Sequence, residues 1–260
     1  MRSSFLPVYI TGVAESPLGK VSGHSELSMM ALAAREALAE AGMSLRDVDG
    51  IFARYRTAEP MIEHSVELGE YLGIQPRYVD STDIGGTSFE AYVHHAMLAV
   101  AMGRCEVALL AYASRQRSRR SRTMQTYEEA YTISGEFEAP YGLVSPIGQY
   151  ALIAARHMYH FTSAVIQHVE DLGFCRRGEG GAFVENGRLA PGGDLPAMTS
   201  GGGLSYNHPG MLGLLLLVEA VRQLRGEAGD RQVPEARIGV VHGGSGVSFG
   251  AAATVVLGRE

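Results

Sequence analysis

The feature of the sequence that most limits its fold is an unbroken apolar run at residues 107–113, VALLAYA. A strand without alternating polar residues is buried on both faces, which is typical of a parallel sheet covered by helices. The residues before it alternate between short apolar strands and helix-forming segments. Strands are predicted at residues 8–13, 48–53 and 78–80, and helices at residues 25–40, 66–72 and from the turn at 81–88 to residue 103. This succession predicts an α/β sandwich with right-handed crossovers.

The regular alternation ends after residue 113. Five arginines fall within residues 115–122, and residues 123–145 are aromatic and irregular. Such a long excursion is usually functional or disordered. Further helices are predicted at residues 147–160, 165–172 and 211–224, and the last two strands at residues 238–242 and 252–257.

Charge and cysteine content restrict the function and the compartment. The chain of 260 residues carries 22 basic and 28 acidic side chains, and its net charge of −6 favours neither nucleic acid nor an anionic membrane. Cys105 and Cys175 provide no disulfide framework and no metal-ligand spacing, which favours a reducing compartment. No apolar stretch is long enough to span a bilayer. We therefore expect a cytoplasmic protein without a membrane span and without a metal site.

A glycine-rich turn at residues 199–210, TSGGGLSYNHPG, is the strongest indication of a functional site. Three consecutive glycines let backbone N–H groups approach a ligand without side-chain obstruction. Ser205, Tyr206 and His208 place three proton-handling groups within four residues, before an apolar helix that Pro209 can begin. The alternative is an ordinary glycine-rich connection in which His208 only caps the following helix.

Several motifs together resemble the thiolase superfamily, and within it the sterol-carrier-protein thiolase or lipid-transfer-protein branch. They lie in family order at residues 10–19, 85–91, 170–175, 178–181, 201–210 and 242–244. The resemblance implies a layered αβαβα sandwich built from two related halves. It divides the chain into a half at 1–113, a loop domain at 114–160 that contacts coenzyme A, and a second half at 161–260. The second half is expected to be truncated at its start, because on the order of a hundred residues are missing from the pattern near residues 160–163.

The chain departs from the family in its cysteines. The turn that carries the family's nucleophilic cysteine contains none at residues 83–86, and His242 stands where the second cysteine is expected. A thiolase needs a thiolate to carry the acyl group and a second group to move the α-proton. The resemblance therefore implies retro-aldol cleavage of a β-hydroxyacyl-CoA from steroid or lipid side-chain degradation, with coenzyme A only as part of the substrate. An inactive truncated remnant and an acetyl-CoA acyltransferase are the alternatives.

The resemblance also implies site residues and partners. Tyr206 is the candidate acid/base, and it would need a lowered pKa to act as a base; His208 is placed at the oxyanion site and His242 beside it. Backbone N–H groups are expected from Gly202, Gly203 and Gly243. Substrate contacts are expected from Asp83, Gly85, Gly86, Arg115, Arg117 and Arg119, although Asp83 can equally be a helix cap and the arginines a solvated face. The implied partners are an acyl-CoA thioester, a second copy in a homodimer and a small zinc-ribbon/OB-fold protein, but no nucleic acid.

Overall fold

The computed structural model describes residues 7–56, 63–119, 136, 140, 164–206, 212–245 and 251–259. They belong to two compact units. The first contains residues 1–121, 200–245 and 251–260, and the second contains residues 122–199 and 246–250. Within the described residues, no helix is both long and apolar enough to cross a bilayer.

The first unit contains a three-stranded parallel sheet. Its strands are β1 (Gly50–Arg56), β2 (Tyr78–Asp80) and β3 (Ala108–Ser114), in the order β2-β1-β3. Gly50 lies opposite Tyr78 on one side and Ala108 on the other. Along β3, buried residues alternate with partly buried ones, so helices cover both faces of this strand as its apolar run predicts.

Two helices cover one face of this sheet. They are α1 (Glu26–Glu40) and α2 (His64–Leu72), and their apolar side chains form one core with Ile51 of β1 and Leu109 of β3. α1 begins after Ser25, whose Oγ accepts a hydrogen bond from the Ser28 amide at 3.1 Å. A hydroxyl at this position satisfies an amide that the helix itself leaves free. The predicted helix at residues 25–40 is therefore confirmed.

Two further helices and a second sheet lie on the other face. The helices are α3 (Ser88–Ala101) and, after a short α4 (Gln116–Arg119), the C-terminal α8 (Gly213–Arg225). They pack on an antiparallel pair of strands, β4 (Ile238–Ser245) and β5 (Ala251–Gly258). A second core joins Phe89 and Tyr92 of α3 to Phe52, Leu217 and Val241. The described layers are therefore helix, sheet, helix, sheet, in agreement with the predicted α/β thiolase-like sandwich.

One predicted strand is wrong. Residues 8–13 form no strand, and Tyr9 is 57% exposed. Side chains from two helices hold this segment instead: Arg225 Nη2 donates to the Thr11 carbonyl at 2.9 Å, and the Val13 amide donates to Glu40 Oε2 at 3.1 Å. A strand exists only where a neighbour completes its backbone hydrogen bonds, and none of the described strands lies alongside residues 8–13.

The second unit is described from residue 164 to 199. It contains α5 (Ala164–Asp171) and α6 (Gly180–Val184), and Glu170 Oε1 accepts a hydrogen bond from the Gly180 amide at 2.9 Å. The last short helix, α7 (Gly202–Ser205), belongs to the first unit, so packing groups residues 200–245 and 251–259 with the N-terminal residues. The predicted boundaries at residues 113 and 160 separate two related halves and a loop domain, not packing units. They stay a prediction. The predicted helix at 147–160 and the junction near 160–163 lie outside the described residues.

Candidate active site

The turn before α3 is held by its own polar side chains. Asp83 Oδ1 accepts a hydrogen bond from the Gly85 amide at 3.1 Å, and Asp83 Oδ2 lies 2.6 Å from Arg54 Nη2. Thr87, not Asp83, occupies the cap position of α3, so the alternative of Asp83 as a helix cap is wrong. Gly85 has φ of 77°, a conformation that a side chain would disfavour. The predicted substrate role of Asp83 and Gly85 stays a prediction.

Arg54 connects this turn to a buried histidine. Its Nη1 lies 2.7 Å from His64 Nε2, at the start of α2. Burial, and then the positive charge of Arg54, lower the pKa of His64 to about 4, although Asp83 opposes the shift. His64 is therefore neutral at physiological pH and acts as a hydrogen-bonding group at the carboxyl end of β1.

Glu90 is the residue that the sequence did not single out for a role. It lies in the first turn of α3 and is 1% exposed. Neither carboxyl oxygen has a partner of hydrogen-bonding geometry in the described part of the chain. Burial raises the pKa of Glu90 to about 7, against a smaller opposing effect of its own backbone amide. A carboxyl group with this pKa can both hold and release a proton near neutral pH.

Glycines from three segments surround this carboxyl group. A Cβ atom on Gly243 of β4 would lie 2.8 Å from Glu90 Oε1, and one on Gly213, the first residue of α8, would overlap Glu90 Oε2. The same Cβ on Gly213 would lie 2.5 Å from the Gly86 carbonyl oxygen. We call this arrangement the Glu90 site: the Glu90 carboxyl group with Gly86, Gly213 and Gly243. It brings together the turn before α3, the start of α8 and the strand that carries His242.

His242 does not face the Glu90 site. Successive side chains of a strand point to opposite faces, and Val241 and Gly243 lie on the face that packs on the helices. His242 therefore points to the other face, where its Nδ1 lies 2.9 Å from Thr254 Oγ1 on β5. The structure brings Gly86 and Gly243 to one carboxyl group but leaves the His242 imidazole on the opposite side of β4.

Tyr206 follows α7 and has a different set of neighbours. Burial, and then the negative charge of Glu15, raise the pKa of Tyr206 to about 12, with Glu219 adding to the shift and Arg222 opposing it. This is the reverse of the lowering that a catalytic base would need, so the phenol keeps its proton at neutral pH. The Gly202 amide donates to Ser200 Oγ at 3.3 Å, and Gly203 lies within α7. His208 lies outside the described residues.

The arginines that were expected to contact coenzyme A have different surroundings. Arg115 Nη1 donates to the His24 carbonyl at 2.5 Å, and its Nε lies 3.8 Å from Glu26 Oε2, so it ties β3 to the start of α1. Arg117 is exposed. The side chain of Arg119 lies outside the described residues. A contact of any of them with a phosphate stays a prediction.

The surroundings of both cysteines disfavour a nucleophilic thiolate. Cys105 is 1% exposed, and a Cβ atom on Gly50 would lie 2.8 Å from its Sγ. It therefore lies at the amino ends of β1 and β3, whereas the turn before α3 follows the carboxyl end of β2. Burial is the main cause that raises the thiol pKa of Cys105 and also of Cys175, which lies in the second unit. A raised pKa disfavours the thiolate that attacks a thioester.

Known proteins match this chain in both halves of the sequence. Residues 154–259 match the thiolase C-terminal domain-like family. The chain is 48% identical over 94 residues to an acetyl-CoA acetyltransferase of Methanothermobacter thermautotrophicus, a match that covers 35% of this chain and 24% of that protein. It is 33% identical over 157 residues to the 17-hydroxy-3-oxo-4-pregnene-20-carboxyl-CoA lyase of Mycobacterium tuberculosis, covering 58% of this chain and 39% of the lyase.

A solved structure has the same fold over nearly the whole chain. An Ltp2-ChsH2(DUF35) aldolase superimposes with a TM-score of 0.79 at 21% sequence identity, covering 96% of this chain and 97% of that chain. Over residues 154–259 the chain is similar to the thiolase superfamily. The predicted resemblance to this superfamily and to its lipid-transfer branch is thereby confirmed. The matches span about a quarter and two fifths of the length of the two curated relatives.

Proposed function

We propose that this thiolase-fold chain is the catalytic part of a lyase that cleaves a carbon–carbon bond of a β-hydroxyacyl-CoA by a retro-aldol reaction. The observation that carries the proposal is that none of the residues of the Glu90 site carries a thiol, together with the raised thiol pKa values of both cysteines of the chain. Acyl transfer through a thioester needs such a thiol. Retro-aldol cleavage needs only a group that moves protons and donors that stabilise the enolate.

The related lyase indicates the class of substrate. The substrate in its name carries a hydroxyl group at the carbon β to the thioester carbonyl. Breaking the bond between the α and β carbons of that molecule gives a 17-ketosteroid and propionyl-CoA. We propose a substrate of this kind for the chain: a bulky tertiary alcohol next to a short acyl-CoA unit.

The test is product analysis with purified protein. We expect 17-hydroxy-3-oxo-4-pregnene-20-carboxyl-CoA to yield propionyl-CoA and a 17-ketosteroid in equal amounts, measured by mass spectrometry. The assay includes a small zinc-ribbon/OB-fold protein as the proposed partner, because the similar solved aldolase carries two named components. Absence of both products from this and from smaller β-hydroxyacyl-CoA substrates would overturn the proposed function.

An acyltransferase is the second candidate, because one relative is an acetyl-CoA acetyltransferase. The two functions differ in their covalent intermediate. An acyltransferase of this fold would leave an acyl group on Cys105 or Cys175 after incubation with acetyl-CoA, and intact-protein mass would increase by one acetyl group. We expect no increase. A remnant without activity would instead fail to form a stable folded protein or dimer, which melting curves and gel filtration would reveal.

A further inference from the structure

We propose that Glu90 is the acid/base of this site, the group that takes the proton from the β-hydroxyl oxygen and returns it to the α carbon. The inference rests on the proposed function and names a residue for its proton transfers. It extends to one residue what the fold and the comparisons leave open, because the imidazole of His242 and the thiol of Cys105 both lie away from the segments that meet at the Glu90 site.

The Glu90 carboxyl group makes no hydrogen bond that would give it a structural role in the described part of the chain. It is 1% exposed, and neither oxygen has a partner of hydrogen-bonding geometry in the described part of the chain. Buried polar groups in native proteins are almost always hydrogen-bonded, so an unpartnered one requires an explanation. A second buried carboxyl group, that of Glu219 on α8, differs because it accepts hydrogen bonds from Arg231 at 3.0 Å and Gln223 at 3.0 Å.

Two glycines leave space for this carboxyl group. Gly213 and Gly243 are far from each other and from Glu90 in the sequence. The Glu90 carboxyl group nevertheless fills the space that a side chain on either glycine would need. Glycine at the start of a helix and within a strand costs conformational entropy, which a residue with a side chain would avoid.

The position of the Glu90 carboxyl group also supports a role in proton transfer. It is in the first turn of α3, next to the backbone of Gly86, in the turn whose sequence resembles the nucleophile turn of the family. It also touches Gly243, directly after the position of the family's second cysteine. The carboxyl group thus lies between the two segments in which related enzymes carry their reactive side chains.

The Glu90 carboxyl group alone can carry out both proton transfers of the retro-aldol reaction. The Glu90 carboxylate accepts the proton of the β-hydroxyl group. The oxygen lone pair forms the new C=O bond as the bond between the α and β carbons breaks, and the bonding pair moves into the thioester as an enolate. The Glu90 carboxyl group then gives its proton to the α carbon, which yields the shortened acyl-CoA and regenerates the carboxylate. A pKa of about 7 supports this exchange, because both forms are populated near neutral pH.

The test compares Glu90→Gln with the wild-type chain, both in the presence of the partner protein. Glutamine closely matches a protonated, buried carboxyl group in shape, so a purely structural role predicts unchanged rates. A proton-transfer role predicts that kcat for cleavage falls at least about 100-fold with little change in KM. Glu67→Gln is the matched control, because Glu67 Oε2 is also buried and unpartnered among the described side chains but lies on α2, across the sheet.

A second assay separates this inference from the proposed function. The wild-type chain should exchange the α-hydrogens of propionyl-CoA with D2O, and Glu90→Gln should lose the exchange at least about 100-fold. Exchange without cleavage of any substrate would overturn the proposed function but would leave the acid/base role of Glu90 intact. Cleavage that survives in folded Glu90→Gln within threefold, or a wild-type chain that exchanges no α-hydrogen, would overturn the role of Glu90.

A shortened variant covers the case in which Glu90→Gln does not fold. Glu90→Asp keeps the acid but withdraws it by one methylene, so we expect a folded protein whose exchange rate falls about 10-fold or more. The wild-type rate should also rise with pH through an apparent pKa near that of Glu90, about 7, and then level off. A pH-independent rate between pH 5 and 9, or full activity of Glu90→Asp, would overturn the assignment.

Discussion

At the scale of single residues, Glu90 stands out among the described carboxyl groups because both of its oxygens are buried without a hydrogen-bond partner. Glu90 is buried in the first turn of α3, and burial raises its carboxyl pKa from 4.5 to about 7. The sequence could not reveal this, because Glu90 lies in a segment with ordinary helix signals and its neighbours Gly213 and Gly243 are distant in the chain. A clue was available nonetheless: an acidic residue four positions after Gly86, on a helix otherwise rich in apolar and small residues.

The raised pKa of Glu90 predicts a dependence of stability on pH. Between the unfolded value of 4.5 and the folded value of about 7, the folded chain binds more protons than the unfolded chain. The contribution of Glu90 is therefore fully present below pH 4.5 and is lost as pH rises through about 7, by about 3 kcal/mol at most. Denaturant unfolding of the wild type and of Glu90→Gln at pH 5 and pH 8 should show this difference. Curves that shift equally with pH in both proteins would contradict it.

His64 should act in the opposite direction. Its pKa is lowered from 6.5 to about 4, so the unfolded chain binds the extra proton in this range. Stability from this residue is present above pH 6.5 and is lost as pH falls towards 4. His64→Gln should flatten the acid limb of the stability profile between pH 6.5 and 4, measured by urea unfolding. An unchanged acid limb would show that the imidazole titrates normally in the folded chain.

At the scale of the elements, the contact between α3 and β4 depends on the absence of a side chain at Gly243. Gly243→Ala would place Cβ 2.8 Å from Glu90 Oε1, so we expect a loss of about 1–3 kcal/mol in the free energy of unfolding. Gly239→Ala on the same strand is the control, because its Cβ would meet Ala220 and Leu224 at an ordinary 3.7 Å. Equal effects of the two variants would show that the conformation of the strand, rather than the contact with Glu90, determines the loss in the free energy of unfolding.

The helices and the covered strand could be predicted from sequence, but the pairing of strands could not. The apolar runs and the Ser25 cap specify local structure, and α1, α3 and β3 form where these signals lie. Residues 8–13 carry an equally clear strand pattern and form none, because Arg225 and Glu40, rather than a neighbouring strand, take up their backbone groups. Strand patterns indicate burial, whereas a strand also requires a partner.

At the scale of the whole molecule, residues from both ends of the chain build one packed unit around α3 and α8. The motifs predicted this fold correctly, because glycine-rich turns and helix caps fix where the helices and strands begin. The residue roles expected from the motifs stay predictions, and the structure adds that the His242 imidazole points to the face of β4 opposite to Gly243. Side-chain direction on a strand depends on register, which one position can reverse.

The most direct measurement of the central claim is product formation by a chain without cysteines. Cys105→Ala combined with Cys175→Ser removes both thiols of the chain, the first with a small loss of core packing. If the chain is a thiol-independent lyase, this variant, with its partner protein, should release propionyl-CoA and the 17-ketosteroid at a rate within about threefold of the wild type. Loss of the products together with an acetyl adduct on a wild-type cysteine would contradict the account and identify an acyltransferase.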